Sequence, residues 1–202
     1  MFHLGIIFLI TYLVGSINFG LILGYLQGLD LRSQGSGNAG ATNALRILGA
    51  RTGIFVFIGD ALKGYFALYL CNLILFQQEN LLFSPSDYLL LALIFSLIGH
   101  CYPIWFNFKG GKGAATALGA FLFIDPYFTL FPIIGFLLVF LISRFVGLST
   151  ISAFFILFLQ TFFIEHGIHH NFHAFSLVIF LFIVYTHRSN IQSMLKGAEE
   201  KL

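Results

Sequence analysis

The chain has 202 residues, of which 58% are hydrophobic and only 9% are charged. Soluble domains carry about 25% charged residues, so this composition excludes a water-soluble protein and indicates an integral membrane protein. The formal net charge of +2 is too small to indicate a nucleic-acid partner, and Cys71 and Cys101 form no CxxC pattern that would favour a metal or redox site.

Seven apolar segments are predicted to be transmembrane helices, since a span needs roughly 20 mainly apolar residues. One long apolar run is divided in two by Asp125-Pro126, which is a turn signal. In chain order the predicted spans are residues 4–26, 52–76, 88–106, 113–124, 127–143, 145–165 and 172–186. The fourth and the seventh are short.

The positive charges predict the orientation of these helices. With the N-terminus outside, all 10 Lys and Arg residues lie on the cytoplasmic side, as the positive-inside rule requires. Arg144 lies on the cytoplasmic side only if the long apolar stretch before it crosses the membrane twice. This favours the division at Asp125-Pro126. We therefore predict an all-α polytopic membrane protein, a single domain over residues 1–202, with about seven transmembrane helices and a cytoplasmic C-terminus. A five-helix arrangement is the alternative.

Three polar stretches interrupt the apolar pattern on the predicted cytoplasmic side. We call them the first (RSQGSGNAGATNALRILGAR, residues 32–51), second (WFNFKGGKGAATALG, residues 105–119) and third polar segment (THRSNIQSMLKGAEE, residues 186–200). Polar, glycine-rich backbone near membrane depth is tolerated only where it lines a cavity or is packed in protein. Three such segments on one face predict one shared site at the inner membrane surface.

The second polar segment has the composition of a phosphate-binding loop. Lys109 and Lys112 flank Gly110 and Gly111, and Gly113 follows. Glycine lets backbone approach a ligand closely, and amides at the start of the following helix point at an anion. The spacing does not fit a Walker A loop. A membrane-flanking basic turn is the alternative.

The first polar segment offers hydroxyls, amides and one guanidinium. Its polar side chains are Ser36, Asn38, Thr42 and Asn43, and Arg46 supplies a planar fork that suits phosphate or carboxylate. Such a set can bind a polyol phosphate or orient a substrate hydroxyl. Because Asn and Ser are also ordinary turn residues, a capped interfacial loop is the alternative.

Each of the other ionisable groups has two interpretations, one functional and one structural. His187 is a candidate general base, or part of a basic juxtamembrane tail. Asp60 and Lys63 lie on one helical face within a span, where ionisable residues are functional candidates; we favour a structural pair that orients Arg46 or Lys112. On the predicted outer side lies a run of four histidines, His166, His169, His170 and His173. Their spacings suit a metal site, but we favour an interfacial loop.

Four motifs of this chain resemble those of a known family. GSGNAGATNALR, GHCYPIWFNFKGGKGAATALG and HRSNIQSMLKGAEE, in this order, together with GDALKG, are similar to the bacterial acyl-phosphate-dependent glycerol-3-phosphate acyltransferases over essentially the whole chain. The resemblance implies transfer of the acyl group of an acyl phosphate to the sn-1 hydroxyl of glycerol 3-phosphate. The products are 1-acylglycerol 3-phosphate (lysophosphatidate) and phosphate, in the first acylation of phospholipid synthesis. The H-x-x-x-x-D signature of other glycerolipid acyltransferases is absent.

The residues and the resemblance together give a candidate site. Ala39, Ser189 and Ser193 depart from the usual family pattern, and the resemblance implies a structural role for Glu199. The predicted catalytic residues are Ser36, Arg46, Lys112, His187 and Asn190. The predicted substrate-binding residues are Gly37, Asn38, Thr42, Asn43, Lys109, Gly110, Gly111, Gly113 and Arg188.

The expected partners are glycerol 3-phosphate, an acyl phosphate and the lipid bilayer. We expect a monomer of the bacterial cytoplasmic (inner) membrane with its site facing the cytoplasm, and no metal, cofactor or nucleic acid. An organic-phosphate transporter is the competing function, although no inverted repeat is evident. A CDP-alcohol phosphotransferase is disfavoured because the D-x-x-D-G-x-x-A-R pattern is absent.

Overall fold

The computed structural model describes residues 2–76, 81–163 and 171–202, and in these ranges every regular element is a helix. His166, His169 and His170 lie outside the described residues. Two short 3₁₀ turns occur, at Leu31–Ser33 and Ile104–Phe106. The α-helices are α1 Phe2–Gly15, α2 Phe19–Leu26, α3 Ala41–Leu48, α4 Ala50–Leu75, α5 Pro85–Cys101, α6 Ala114–Ile124, α7 Pro126–Ser143, α8 Val146–Gln160, α9 Phe172–Thr186 and α10 Arg188–Leu195.

The described helices confirm an integral membrane protein. Four stretches are long and apolar enough to span a bilayer: Leu4–Leu26, Ala50–Leu75, Pro85–Phe106 and Pro126–Ser143. Helices α9 and α10, bent by 56° at their junction, form a fifth if they count as one span. Helices α6 and α8 are apolar but shorter. A helix therefore lies at each of the seven predicted positions, while the number of crossings and their orientation stay predictions.

The chain divides into two compact units, unit 1 at Met1–Ile124 and unit 2 at Asp125–Leu202. The boundary lies at the predicted break between α6 and α7, which is confirmed. The carboxylate of Asp125 caps α7 by accepting a hydrogen bond from the Phe128 amide at 2.9 Å, and Pro126 takes the first helical position, where its missing N–H costs nothing.

Unit 1 is built around α4, which packs against α3, α5, α6 and α1, while α1 also packs on α5. Glycines allow the helices to approach closely. A Cβ atom on Gly64 of α4 would overlap the Thr116 carbonyl of α6, and one on Gly119 of α6 would overlap the Ala61 carbonyl of α4. The two helices thus meet backbone to backbone, which fixes the start of α6, where the second polar segment ends.

The span predicted over residues 4–26 is confirmed in its bounds, and the structure divides it into α1 and α2. Asn18 is buried and caps α2, its Oδ1 accepting a hydrogen bond from the Leu21 amide at 3.0 Å. The break leaves the Ile17 carbonyl without a helical partner, and Lys63 Nζ donates to it at 2.6 Å. An amide side chain with a buried lysine therefore replaces the helical hydrogen bonds that the break removes.

In unit 2, α7 packs against α8, α8 against α9, and α10 contacts both α8 and α9. Few polar contacts cross between these helices. Gln160 Nε2 donates to the Phe128 carbonyl at 2.7 Å, and His173 Nδ1 lies 2.8 Å from Thr161 Oγ1. His173 thus has a partner within the protein.

Candidate active site

Asn43 organises the first polar segment. Its side chain is 1% exposed, and Nδ2 lies 2.9 Å from each of the carbonyls of Leu31, Gln34 and Asn38. Its Oδ1 accepts a hydrogen bond from the Ser36 amide at 3.0 Å. Both the donor group and the acceptor of this amide are therefore used to curl the loop before α3. Asn43 was predicted to bind substrate, but its amide faces the loop and supports Ser36.

Ser36 lies at the exposed tip of this curl. It stands between Gly35 and Gly37, which have φ angles of +55° and +70°, a conformation that glycine adopts at little cost. A Cβ atom on Gly35 would also overlap Asn43 Oδ1. Among the described residues, the Ser36 hydroxyl has no hydrogen-bond partner. The loop thus presents a hydroxyl that can bond to a ligand.

Helix α3 carries Thr42 and Arg46 one turn apart on one face. Both side chains are half-buried. Gly49, with a φ angle of +86°, ends α3 and lets α4 begin at the next residue. A Cβ atom on Gly53 of α4 would lie 2.5 Å from Leu45 Cβ. Close packing on α4 therefore fixes the direction in which α3 carries Arg46.

The second polar segment folds back along the end of α5. The amides of Gly110 and Gly111 donate to the carbonyls of Cys101 at 3.0 Å and His100 at 3.2 Å. Gly110 and Gly111 were predicted to bind substrate, and in the structure their amides hold the loop against the end of α5. The first hydrogen bond of α6 runs from the Ala117 amide to the Gly113 carbonyl, so the amides before Ala117 have no acceptor within the helix. The N-terminus of α6 is thus the backbone part of this segment that suits an anion.

The glycines of this segment are needed for close packing. A Cβ atom on Gly111 would overlap His100 Nε2, and one on Gly110 would overlap the His100 carbonyl. Gly113 has a φ angle of +87°. Lys112 is half-buried and Lys109 is exposed. The loop therefore lies tightly on His100 with its two lysines at different depths.

A buried polar network lies beneath this loop. Lys63 Nζ pairs with Asp60 Oδ1 at 2.8 Å, and His100 Nδ1 lies 3.7 Å from the same oxygen. Thr116 Oγ1 lies 3.0 Å from His100 Nδ1. All four side chains are at most 4% exposed. Together with the Lys63 contact to Ile17, the network joins the α1–α2 break, α4, α5 and α6.

The network does not have the geometry of a catalytic triad, although its residue types suggest one. In a triad the carboxylate and the hydroxyl contact different nitrogens of the imidazole. Here Asp60 and Thr116 both face Nδ1 of His100, and the Thr116 side chain is fully buried. The contacts support the structural reading of the Asp60–Lys63 pair.

Arg32 joins the first and second polar segments and is absent from the predicted site. Its Nη1 donates to the Phe106 carbonyl at 2.9 Å and to the Lys109 carbonyl at 3.3 Å. Its Nη2 donates to Asp30 Oδ2 at 2.7 Å and to the Tyr25 hydroxyl at 2.6 Å. The hydrogen bonds from Arg32 lower the pKa of Asp30 to about 2. The sequence alone shows only that one leucine separates Asp30 from Arg32, a spacing typical of a local ion pair.

The third polar segment lies in unit 2, at the bend between α9 and α10. His187 is 4% exposed, and its Nδ1 lies 2.9 Å from the Ile183 carbonyl. Because a carbonyl can only accept, the proton of the neutral ring lies on Nδ1, and Nε2 is then an acceptor. This tautomer fits the predicted role of His187 as a base.

Asn190 and Arg188 are held by neighbours within unit 2. Asn190 Nδ2 donates to Glu199 Oε1 at 2.6 Å, and a Cβ atom on Gly147 would lie 2.8 Å from Asn190 Cβ. The exposed Arg188 lies over the Tyr185 ring at 4.4 Å and donates to the Tyr185 carbonyl at 2.9 Å. Glu199 thus orients Asn190, which supports its predicted structural role.

Comparison with known proteins gives a match over nearly the whole chain. Residues 5–197 match the family model described as glycerol-3-phosphate acyltransferase. The glycerol-3-phosphate acyltransferase of Fusobacterium nucleatum is 40% identical over 95% of this chain and 94% of its own length. That of Geobacillus kaustophilus is 41% identical over 98% and 95%, and that of Aquifex aeolicus is 41% identical over 95% of both chains.

Two solved structures are similar in fold along the same length. Both are crystal structures of PlsY (YgiH), described as an integral membrane glycerol 3-phosphate acyltransferase. The glycerol 3-phosphate form has a TM-score of 0.87 and 38% identity, and the lysophosphatidic acid form has a TM-score of 0.84 and 37% identity. Each covers 98% of this chain and 95% of the solved one.

Proposed function

We propose that this chain, which belongs to the glycerol-3-phosphate acyltransferase family, uses an acyl phosphate as its acyl donor. It is an acyltransferase of phospholipid synthesis. The acceptor is the sn-1 hydroxyl of glycerol 3-phosphate, and the products are lysophosphatidate and inorganic phosphate. The full-length similarity to PlsY, solved in a glycerol 3-phosphate form and a lysophosphatidic acid form, supports the acceptor and the product. The observation that supports the donor is the presence of all three motifs that resemble the acyl-phosphate-dependent family, in order along one matched chain.

We further propose a topology of seven crossings in the bacterial inner membrane, with the N-terminus outside. The support is a helix at each of the seven predicted positions and the placement of nine of the ten cationic side chains on one side in that arrangement, the tenth being Lys63, which is buried within α4. The first and second polar segments then face the cytoplasm.

The chemistry needs little acid–base assistance because the donor is already activated. The sn-1 hydroxyl oxygen attacks the acyl carbonyl carbon, a new ester bond forms, and the bond from that carbon to the phosphate oxygen breaks. The leaving phosphate takes the proton of the hydroxyl. Alignment of the two substrates can supply roughly 7–11 kcal/mol of the barrier reduction. The exposed Ser36 hydroxyl suits the orientation of the acceptor or the developing oxyanion.

Two phosphorylated substrates repel each other, so the site needs countercharge. In unit 1 we assign this to Arg46, Lys109 and Lys112. We place the phosphate of glycerol 3-phosphate at the second polar segment, where the lysines and the N-terminus of α6 are the donors. The Gly110 and Gly111 amides are not included because both are bonded to carbonyls. The roles of His187, Arg188 and Asn190 stay predictions.

The test of the donor uses the purified full-length protein in detergent or lipid mesophase. Glycerol 3-phosphate is supplied with palmitoyl phosphate, palmitoyl-CoA or palmitoyl acyl carrier protein in separate reactions, and lysophosphatidate and released phosphate are measured. We expect turnover with palmitoyl phosphate alone and one phosphate released per lysophosphatidate. Turnover only with a thioester would overturn the proposed donor. Saturable binding of glycerol 3-phosphate with no turnover would favour the transporter, which uptake into vesicles then tests.

Direct transfer and a Ser36 acyl-enzyme are separated by acyl trapping. The protein is mixed with radiolabelled palmitoyl phosphate without acceptor, quenched in acid and analysed by mass spectrometry. Direct transfer predicts no labelled peptide. A palmitoyl group on Ser36 would instead establish a covalent intermediate.

A further inference from the structure

We propose that Arg32 is a positioning residue that holds the second polar segment in its glycerol 3-phosphate-binding conformation, an inference that rests on the proposed function. Arg32 touches no reacting atom in this account. It acts through the backbone of Phe106 and Lys109, to which its guanidinium donates.

The turn that Arg32 contacts needs external support. Asn107 and Phe108 lie at its centre with φ angles of +55° and +57°. This left-handed conformation is tolerated by Asn107 but is unfavourable for the bulky Phe108, which keeps it only where the surroundings impose it. The carbonyls on either side of these two residues, at Phe106 and Lys109, both accept from Arg32 Nη1. One cation thus holds both ends of the unfavourable stretch.

The other edge of the guanidinium is anchored by two residues that precede the first polar segment, Asp30 and Tyr25. Nε donates to Asp30 Oδ1 at 3.0 Å, and Nη2 donates to Asp30 Oδ2 and to the Tyr25 hydroxyl. The Tyr25 ring also stacks on Phe106 at a centroid distance of 6.2 Å. All five N–H donors of the guanidinium, which lie in one plane, are therefore used at once, and a lysine ammonium cannot reproduce this pattern.

The consequence for function is geometric. Lys109 is the last residue of the turn that Arg32 holds. Lys112 follows three residues later, on the part of the loop that lies against His100. When the hydrogen bonds from Arg32 to the Phe106 and Lys109 carbonyls are lost, Asn107 and Phe108 relax toward ordinary φ angles, and both lysines move. We therefore expect weaker binding of glycerol 3-phosphate, with much less effect on the acyl donor.

The test is the variant Arg32→Lys, which keeps the charge but cannot make both sets of contacts, with Arg51→Lys as the matched control. Arg51 is exposed in the first turn of α4. Loss of charge-assisted hydrogen bonds worth about 1.5–3 kcal/mol predicts a rise of roughly 10- to 150-fold in KM for glycerol 3-phosphate. We expect KM for palmitoyl phosphate to change less than threefold, and Arg51→Lys to match the wild type.

A second variant separates positioning from general loss of structure. Arg32→Ala is assayed with and without millimolar ethylguanidinium, which can occupy the vacated site and restore the bridge between the carbonyls and Asp30. Recovery of KM for glycerol 3-phosphate, with no such effect on wild type, supports positioning. A folded Arg32→Lys variant with an unchanged KM for glycerol 3-phosphate, or an equal rise in both KM values, would overturn the inference.

Calorimetric binding of glycerol 3-phosphate keeps the inference distinct from the proposed donor. If the wild type binds glycerol 3-phosphate but does not use palmitoyl phosphate, the donor proposal fails. The ratio of Kd for glycerol 3-phosphate between Arg32→Lys and wild type still tests the positioning role of Arg32. If the wild type does not bind glycerol 3-phosphate, both proposals are overturned.

Discussion

Units 1 and 2 hold their polar segments in different ways. In unit 1 the contacts join residues far apart in the chain, as from Arg32 to Phe106 and from Lys63 to Ile17. In unit 2 the third polar segment is held by near neighbours, with Asn190 bonded to Glu199 and Arg188 bonded to Tyr185. The geometry of the unit 1 loops therefore depends on hydrogen bonds between distant parts of the chain, whereas the side-chain hydrogen bonds of the third segment are local and its long-range contact is packing of Asn190 against Gly147 of α8. Substitutions in unit 1 should have larger and more distant effects.

The largest effect is expected from Lys63→Met in unit 1. It leaves the Asp60 carboxylate buried without its cation and removes the donor to Ile17 at the α1–α2 break. Breaking one partner of a buried pair costs about 3–5 kcal/mol, so the melting temperature in detergent should fall markedly. The double variant Asp60→Asn/Lys63→Met removes both charges and should recover part of the loss. A single variant as stable as the wild type would show that the pair is not a structural joint.

Gly111→Ala is expected to have the next largest effect. Its Cβ atom would overlap His100 Nε2, so the second polar segment must move, and overpacking of this kind costs about 1–3 kcal/mol. We expect kcat/KM for glycerol 3-phosphate to fall at least about fivefold, since 1.4 kcal/mol is a factor of ten. The matched control is Gly5→Ala, where nothing lies within 4 Å of the new atom. A smaller side chain at position 100, in Gly111→Ala/His100→Ser, should restore part of the activity if the clash is the cause.

Asn43→Ala is expected to act on the first polar segment. It removes the donor to three carbonyls and the acceptor of the Ser36 amide, and buried groups left without a partner cost about 1–3 kcal/mol. Hydrogen exchange at the Ser36 amide should become faster, and kcat should fall. Asn43→Asp keeps the acceptor for Ser36 but loses the donors, so it should protect that amide better than Asn43→Ala does. Equal exchange rates in wild type and Asn43→Ala would contradict the assigned role.

The smallest effect is expected in unit 2 from Glu199→Gln. The glutamine still offers an oxygen to Asn190 Nδ2, so the contact loses charge but not geometry, which is worth about 1 kcal/mol or less. We expect kcat to change less than about fivefold, and Glu199→Ala to reduce it further because Asn190 then loses its acceptor. If Glu199→Gln and Glu199→Ala behave alike, the contact does not orient Asn190.

The sequence predicted the helices well because they are encoded by hydropathy, and the break at Asp125-Pro126 because it has a local turn signal. It predicted the polar segments because polar glycine-rich stretches are rare in membranes. It did not predict the α1–α2 break, since Gly15 to Asn18 are too few to lower the hydropathy of a 23-residue stretch. The donor from Lys63 that stabilises this break lies 46 residues away.

The sequence could not give the partners of polar groups that bond to residues distant in the chain. The amides of Gly110 and Gly111 bond to the end of α5 because the loop turns back on it. In the sequence Arg32 counted only as one of the positive charges on the cytoplasmic side, but in the structure it reaches carbonyls 74 and 77 residues later. Neither pairing leaves a periodic pattern in the sequence, because each depends on how the loop folds back in three dimensions.

The most direct test of the account is the role of Lys112 in binding the phosphate of glycerol 3-phosphate. The measurement is kcat/KM for glycerol 3-phosphate, with palmitoyl phosphate as donor, in wild type, Lys112→Met and the control Lys201→Met, which changes an exposed lysine near the C-terminus. Loss of a charge-assisted contact predicts a fall of roughly 10- to 150-fold for Lys112→Met and no change for Lys201→Met. Equal values for wild type and Lys112→Met would contradict the assignment of the phosphate to the second polar segment.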